Sequence, residues 1–164
     1  MIEFSRLRDA LGVPTPVAAH GARSNEAAEA TLKAVCRKLD GVTILQKGAV
    51  DLISDGEHLL RCDVEGGPRR SGGLGDILAG TLGIVYAWAT LAVAAEPRGD
   101  QSTEHALVGQ ERLLAALAAC SIARSSCKAA FAKEKRATTV RTLPWWAVAR
   151  ALALTKARSL FLLD

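Results

Sequence analysis

A glycine-rich segment that ends in an aspartate holds the residue types best suited to chemistry in this sequence. It runs from Gly66 to Asp76 and contains Arg69 and Arg70. Glycines let a backbone approach a ligand closely, and the free N–H groups at the start of a helix bind anions. The two arginines add positive charge. The segment therefore predicts a phosphate-binding loop in front of a helix.

The aspartate at the end of this loop needs a separate explanation, because bound phosphates repel a carboxylate. Asp76 can accept the proton of a hydroxyl group while that oxygen attacks a terminal phosphoryl group. It can equally cap the helix that follows. The segment alone does not decide between the two. Ser71 is a poor candidate nucleophile because no histidine lies near it in the sequence.

A lysine and an aspartate lie close together upstream of the loop. Lys47 follows the short apolar run Val42 to Leu45, which has the β-branched residues typical of a buried strand, and Asp51 comes four residues after Lys47. A lysine at the exit of a buried strand can reach a ligand at the carboxyl edge of a sheet. An ordinary solvated lysine is the alternative.

The elements around these residues follow an α/β order. A helix is predicted from Ser24 to Asp40, because apolar residues recur at helical spacing and glycine follows. The strand from Val42 to Leu45 comes next. Two further strands, Val50 to Ile53 and His58 to Cys62, flank an Asp55-Gly56 turn, which predicts a β-hairpin.

The rest of the chain is predicted to be mainly helical. We expect helices over 76–94 and 104–133, the second with a break near Gly109 as an alternative, and a last helix over 144–160 with Pro144 in its first turn. The stretch from Ile77 to Ala95 has no charged residue and is long enough to span a bilayer. Glycines and threonines dilute it and no basic residue flanks it, so we favour a buried helix.

The composition of the chain indicates which classes of ligand and partner to expect. The chain of 164 residues is 49% hydrophobic and 23% charged with a net charge of +4, which fits a folded protein that binds a small anionic ligand. No dense basic run is interleaved with aromatic residues, so nucleic acid is not an expected partner. The four cysteines lack metal-ligand spacing, which predicts reduced, mostly buried thiols.

Several short motifs, taken together, carry a family resemblance. They are Glu3-Phe4-Ser5-Arg6-Leu7, Lys47-Gly48-Ala49-Val50-Asp51, Arg69-Arg70-Ser71-Gly72-Gly73-Leu74-Gly75-Asp76, Leu78-Ala79-Gly80, Leu82-Gly83, Ala118-Ala119-Cys120-Ser121 and Thr138-Thr139. In this combination the sequence resembles the eukaryotic ATP-dependent NAD(P)H-hydrate dehydratases of the ribokinase-like superfamily. The resemblance implies an α/β fold, with residues 1–164 as a single partial ribokinase-like domain. That domain would be a truncated C-terminal part of a three-layer α/β/α sandwich.

The resemblance also implies an activity, a lyase reaction of metabolite repair. The family uses ATP to phosphorylate the hydroxyl group of hydrated NADH or NADPH, and elimination of phosphate restores the reduced cofactor. The expected partners are therefore ATP, Mg²⁺ and NAD(P)H hydrate. A second copy of the chain, in a homo-oligomer, is a further possible partner. The alternatives are a related ribokinase-like small-molecule kinase and an inactive truncated chain. The cytoplasm is the default location, or the mitochondrion if a targeting segment precedes Met1.

Specific residues acquire roles through the same resemblance. Asp76 would be the catalytic base and would also contact the substrate, together with Glu3, Phe4, Ser5 and Arg6. The ATP-binding residues would be Lys47, Gly48, Ala49, Val50, Asp51, Gly66, Gly67, Pro68, Arg69, Arg70, Ser71, Gly72, Gly73, Leu74 and Gly75. No metal ligands are assigned.

Overall fold

Helices and a small sheet make up the part of the chain that the computed structural model describes, residues 2–14, 24–68, 72–95 and 101–134. In chain order the elements are α1 (Ile2–Ala10), α2 (Ser24–Lys38), β1 (Ile44–Gln46), β2 (Asp51–Ser54), β3 (Leu59–Cys62), α3 (Leu74–Ala95) and α4 (Gln101–Glu134). They belong to two units, Met1–Asp63 and Val64–Asp164. The helix predicted over 144–160 lies outside the described residues.

The sheet of the first unit is an antiparallel meander in the order β1-β2-β3. The predicted hairpin is confirmed, with Ser54 paired to Leu59 across the turn. The carboxylate of Asp55 accepts hydrogen bonds from the backbone N–H groups of Glu57 at 2.9 Å and His58 at 2.7 Å. An aspartate that binds its own downstream backbone in this way stabilises a tight turn.

Lys47 directly follows β1, as the sequence predicted for a lysine at the exit of a strand. The strand itself is half-buried rather than buried as we expected. In the structure β1 pairs antiparallel with β2, Gln46 opposite Leu52, so Lys47 lies in the connection between them. The reason is chain length: a parallel pair needs a crossover of about a dozen residues or more, and residues 47–50 are too few.

The core of the first unit lies between α2 and the sheet. Leu32, Val35 and Cys36 on one face of α2 are fully buried, as is Ile53 on β2, and α2 packs against β1 and β2. Burying a leucine or isoleucine side chain of this kind stabilises the fold by about 1.5–3 kcal/mol. These contacts hold the β1–β2 connection, with Lys47, on a rigid support.

The end of α2 and its outer face are also fixed. The N–H of Gly41 donates to the carbonyl of Cys36 at 3.0 Å, and Asp40 takes a φ of 54°, which ends the helix at Lys38. On the outer face, the guanidinium of Arg61 on β3 donates to both carboxylate oxygens of Glu29, each at 2.7 Å. That pair lowers the pKa of Glu29 and links α2 to β3.

In the second unit α3 packs against α4. The buried side chains of α4 among the described residues are mostly small or apolar. They are Glu111, Leu113, Ala115, Ala116, Ala119, Cys120, Ile122, Ser126 and Ala130. Gly109 does not interrupt α4, which continues for 34 residues, because one glycine costs only about 1 kcal/mol in a helix interior.

The expectation of a buried helix over the segment that forms α3 is wrong for the described part of the chain: of the α3 residues whose burial is described, only Thr81 is buried, and several large apolar side chains are exposed. Ile84, Tyr86 and Trp88 are exposed, and Leu91 retains 66% of its accessible surface. Within the described residues, two helical segments are long and apolar enough to cross a membrane, Leu74–Ala94 with a mean hydropathy of 1.9 and Gln110–Lys133 with 1.3. A core helix of a soluble protein can have the same length and composition as a membrane-spanning helix.

Candidate functional site

The predicted phosphate loop is described on both sides of a short gap. Gly66, Gly67 and Pro68 precede the gap, and Gly72, Gly73, Leu74, Gly75 and Asp76 follow it. Arg69, Arg70 and Ser71 lie outside the described residues. Pro68, Gly72 and Gly75 are exposed. Much of the described loop therefore faces solvent, as a loop that receives a ligand must.

The downstream half of the loop forms the first turn of α3. The helix begins at Leu74, two residues before the predicted start, because Gly73 takes a φ of 83° immediately before it. The carbonyl of Gly73 accepts hydrogen bonds from the N–H groups of Asp76 and Ile77, both at 3.1 Å. The first N–H groups of a helix have no partner inside it, so this turn is a suitable place for an anion.

Asp76 is the third residue of α3, and its side chain is exposed. Gly73 occupies the position of the helix cap, so Asp76 is a first-turn residue and not the N-cap. A structural role at the start of the helix, one of the two interpretations left open by the sequence, therefore stands as a first-turn position. A favourable interaction with the helix dipole remains available to it. Among the described residues the Asp76 carboxylate has no hydrogen-bond or ion-pair partner. It is therefore accessible to a ligand at the start of α3.

The second predicted ATP segment, Lys47 to Asp51, forms the tight connection between β1 and β2. The N–H of Gly48 donates to Oδ1 of Asp51 at 2.9 Å, and Asp51 itself is buried. A Cβ atom on Gly48 would lie 2.6 Å from the carbonyl oxygen of Val50, so only glycine fits there. The exposed residues Lys47, Ala49 and Val50 are the ones that a ligand can reach.

The predicted substrate residues lie on α1. Glu3 and Arg6 are exposed, and Phe4 and Ser5 are half-buried. Glu3 and Arg6 are three residues apart, so they share one face of the helix. This helix and the Lys47 to Asp51 segment belong to the first unit, whereas the phosphate loop and Asp76 belong to the second.

Sequence reasoning missed a set of residues on α4 that contact the start of the loop. They are Arg124, Cys127 and Lys128. Their spacing of three and four residues places them on one face of the helix. The signal that could have identified them is the pair Arg124 and Lys128, one turn apart and the only charged residues in the stretch 113–132.

The described part of the chain offers neither a favoured thiolate at Cys36 or Cys127 nor a cluster of metal ligands. Burial raises the pKa of the Cys36 thiol and of the Cys127 thiol, which disfavours the reactive thiolate. No group of three or more histidine, cysteine, aspartate or glutamate side chains is arranged there to hold a metal ion. The residues described so far therefore offer no preformed metal cage.

Comparisons with known proteins agree on one family. A family model described as NAD(P)H-hydrate dehydratase matches residues 1–144. The ATP-dependent (S)-NAD(P)H-hydrate dehydratase of Homo sapiens is 37% identical over 138 residues, which are 84% of this chain and 35% of the human protein. The Bos taurus protein of that name is 42% identical over 141 residues, 84% of this chain and 37% of the bovine one.

The similarity is not confined to mammalian proteins, and each of these matches covers only part of the relative. The Dictyostelium discoideum protein of the same name is 44% identical over 100 residues, which are 61% of this chain and 31% of that protein. The chain thus spans about a third of the length of the curated relatives that it matches. The matching family is ribokinase-like, and the helices and small antiparallel sheet of the described residues are consistent with part of that α/β fold.

Proposed function

We propose a function from one premise: the chain belongs to the NAD(P)H-hydrate dehydratase family, whose model it matches over residues 1–144. The proposed activity is the ATP-dependent dehydration of (S)-NAD(P)H hydrate, a lyase reaction that repairs a damaged nicotinamide nucleotide. The loop from Gly66 to Gly75 would bind the phosphates of ATP, and Asp76 would act on the hydrated nicotinamide. The names of the relatives support the reaction, and the loop geometry supports the assignment of residues.

The position of Asp76 is the observation that carries the proposal. Its exposed carboxylate is in the first turn of α3, directly after Gly72, Gly73 and Gly75. The helix N-terminus favours the negative charge of a phosphate group. A hydroxyl group bound beside that phosphate would lie within reach of a carboxylate that has no other partner among the described residues. Phosphate binding and proton acceptance would then be adjacent.

The chemistry proceeds in two steps. The hydroxyl oxygen of the hydrate attacks the γ-phosphorus of ATP, its proton passes to Asp76, and the bond to the leaving ADP breaks. The bond between the ring carbon and the phosphate oxygen then breaks, and phosphate leaves with the bonding electrons. The adjacent ring carbon loses a proton to solvent, and the electrons of its C–H bond form the double bond of NAD(P)H. Phosphorylation matters because hydroxide is a poor leaving group and phosphate a good one. Asp76 serves the first step.

The other predicted residues have supporting roles in this proposal. Lys47, exposed in the β1–β2 connection, would contact ATP through its ammonium group, while the buried carboxylate of Asp51 would keep that connection in shape. Glu3, Phe4, Ser5 and Arg6 would lie on the substrate side. Mg²⁺ is commonly held by substrate phosphates with only one or two carboxylates. The lack of a metal cluster among the described residues is compatible with Mg²⁺ that enters with ATP.

The test compares Asp76→Asn with the unchanged chain. Both are assayed for recovery of NADH absorbance from NADH hydrate with ATP and Mg²⁺, and for ATP affinity by calorimetry. We expect turnover to fall by about 10²–10⁴-fold, the usual contribution of a general base, with ATP affinity retained. Asp63→Asn, a change at another exposed aspartate, is the matched control. Equal turnover of Asp76→Asn and the unchanged chain would refute the role of Asp76.

A further inference from the structure

Residues 64–67, which lead into the glycine-rich segment and are here called the start of the phosphate loop, lie directly on α4. The guanidinium Nη1 of Arg124 donates to the backbone carbonyl of Val64 at 3.0 Å. One residue further along the loop, the carboxylate of Glu65 pairs with the ammonium group of Lys128. Two consecutive loop residues are thus held by two side chains that are one helical turn apart.

The glycines that follow are in contact with the same face of α4. A Cβ atom on Gly66 would lie 3.7 Å from Cγ of Arg124, an ordinary contact distance. A Cβ atom on Gly67 would lie 3.2 Å from the backbone carbonyl oxygen of Cys127, which is tighter than most real contacts. The backbone of the loop therefore lies against the backbone of α4, and a side chain at position 67 would require the two backbones to move apart slightly.

The two polar contacts are unequal. Lys128 and Glu65 are both largely exposed, at 55% and 78% of their side-chain surface, and an exposed ion pair of this kind contributes little. Arg124 is partly buried, and its hydrogen bond ends on the main chain. A charged donor makes a stronger hydrogen bond than a neutral one, and a bond to a carbonyl fixes the path of the backbone itself.

We propose that Arg124 is a positioning residue that holds the start of the phosphate loop, from Val64 to Gly67, in the geometry that binds ATP. This inference rests on the proposed function, because it assumes that the loop binds phosphate groups. A cradle built from backbone N–H groups works only if those groups are fixed before the ligand arrives. Arg124 supplies that fixation from α4, without itself being assigned a contact with ATP.

The experiment uses three variants of the full chain. Arg124→Met keeps the long aliphatic stem and removes the donor, Arg124→Lys restores a charged donor without the planar fork, and Lys128→Met is the matched control on the same face. Each is measured for amide hydrogen exchange over residues 64–68 without ATP, for ATP affinity by calorimetry, and for thermal unfolding. The exchange measurement reports on the loop whether or not ATP binds.

The expected pattern separates positioning from general stability. In Arg124→Met, we expect faster exchange over residues 64–68 and an ATP dissociation constant raised about tenfold or more, the value of a hydrogen bond to a charged group. Arg124→Lys should recover part of both losses, and Lys128→Met should resemble the unchanged chain. A lower unfolding temperature with unchanged loop exchange and unchanged ATP affinity would reduce Arg124 to a structural residue and overturn the proposal.

Failure of the proposed function gives a different result. If the unchanged chain binds no ATP, the loop is not an ATP site in this chain, and that outcome counts against the proposed function. The exchange comparison between Arg124→Met and Lys128→Met then still decides whether Arg124 holds the loop. Equal exchange in these two variants would refute the inference on its own.

Discussion

Replacement of Asp51 by alanine tests how the β1–β2 connection is held. The change removes the carboxylate that accepts the N–H of Gly48 at 2.9 Å. A hydrogen bond to a charged group contributes about 1.5–3 kcal/mol, and a stranded buried donor costs about 1–3 kcal/mol. Gly48 is only half-buried, so water can partly replace the carboxylate. We expect a loss near the lower end, about 1–2 kcal/mol.

The measurements follow from that magnitude. For a chain of this size, 1 kcal/mol shifts the unfolding temperature by about 2–4 °C, so Asp51→Ala should unfold roughly 2–8 °C lower. The Gly48 amide should also exchange faster. Asp51→Asn keeps an acceptor oxygen and should recover part of the loss, and Asp63→Ala, at an exposed aspartate, should stay within about 0.5 kcal/mol.

Two outcomes would change the interpretation of Asp51. An Asp51→Ala chain with the unfolding temperature and Gly48 exchange of the unchanged protein would refute the reasoning, because the carboxylate would then not hold the connection. An Asp51→Asn chain that keeps its stability but loses ATP affinity would show that the charge of Asp51 contacts the nucleotide directly.

Two further predictions concern the folds of the two units. Leu113→Ala should lower the free energy of unfolding by about 2–5 kcal/mol, because Leu113 is 2% exposed. Leu114→Ala, at a residue that is 57% exposed, should change it by about 0.5 kcal/mol or less in the same urea titration, and equal losses would contradict the packing of α4. The hydrogen bond from Arg61 lowers the pKa of Glu29 from its ordinary value, so their pair stabilises the fold above that ordinary value, and the contribution is lost as the pH falls through the lowered one. Arg61→Gln should therefore reduce the urea midpoint at about pH 6, and the difference should shrink as the pH falls through the lowered pKa of Glu29, whereas a pH-independent difference would contradict the assignment.

Local signals in the sequence predicted the local structure well. The Asp55-Gly56 turn between two short flanking segments was sufficient for the β2–β3 hairpin, because both strands and the turn lie within a dozen or so residues. The helix over Ser24 to Lys38 followed from its apolar spacing and from the glycine at its end. In each case the information lies within the segment itself.

Contacts between distant residues could not be obtained in the same way. The hydrogen bond from Arg124 to Val64 spans sixty positions of sequence, and no local pattern encodes a contact of that range. The antiparallel pairing of β1 and β2 could have been predicted, because residues 47–50 leave no room for a crossover helix.

The chemistry of the site was only partly accessible from sequence. Glycines and Asp76 indicated a phosphate loop with an unusual carboxylate, and the structure adds that Gly73 rather than Asp76 holds the cap position. Arg69, Arg70 and Ser71 lie outside the described residues, so their predicted contacts with ATP stay predictions. Arg124 and Lys128 on α4 were missed because the sequence around them consists mainly of small and apolar residues, which indicate only that the segment is a packed helix.

The meander β1-β2-β3 has a consequence for the order in which the chain folds. Each strand pairs with its neighbour in sequence, and α2 immediately precedes them, so every closure joins residues that are close along the chain. Short closures cost little entropy and favour rapid folding. The segment from Ser24 to Cys62 also emerges from the ribosome before α3 and α4. We therefore expect it to fold during synthesis, while the long apolar helices are still being made.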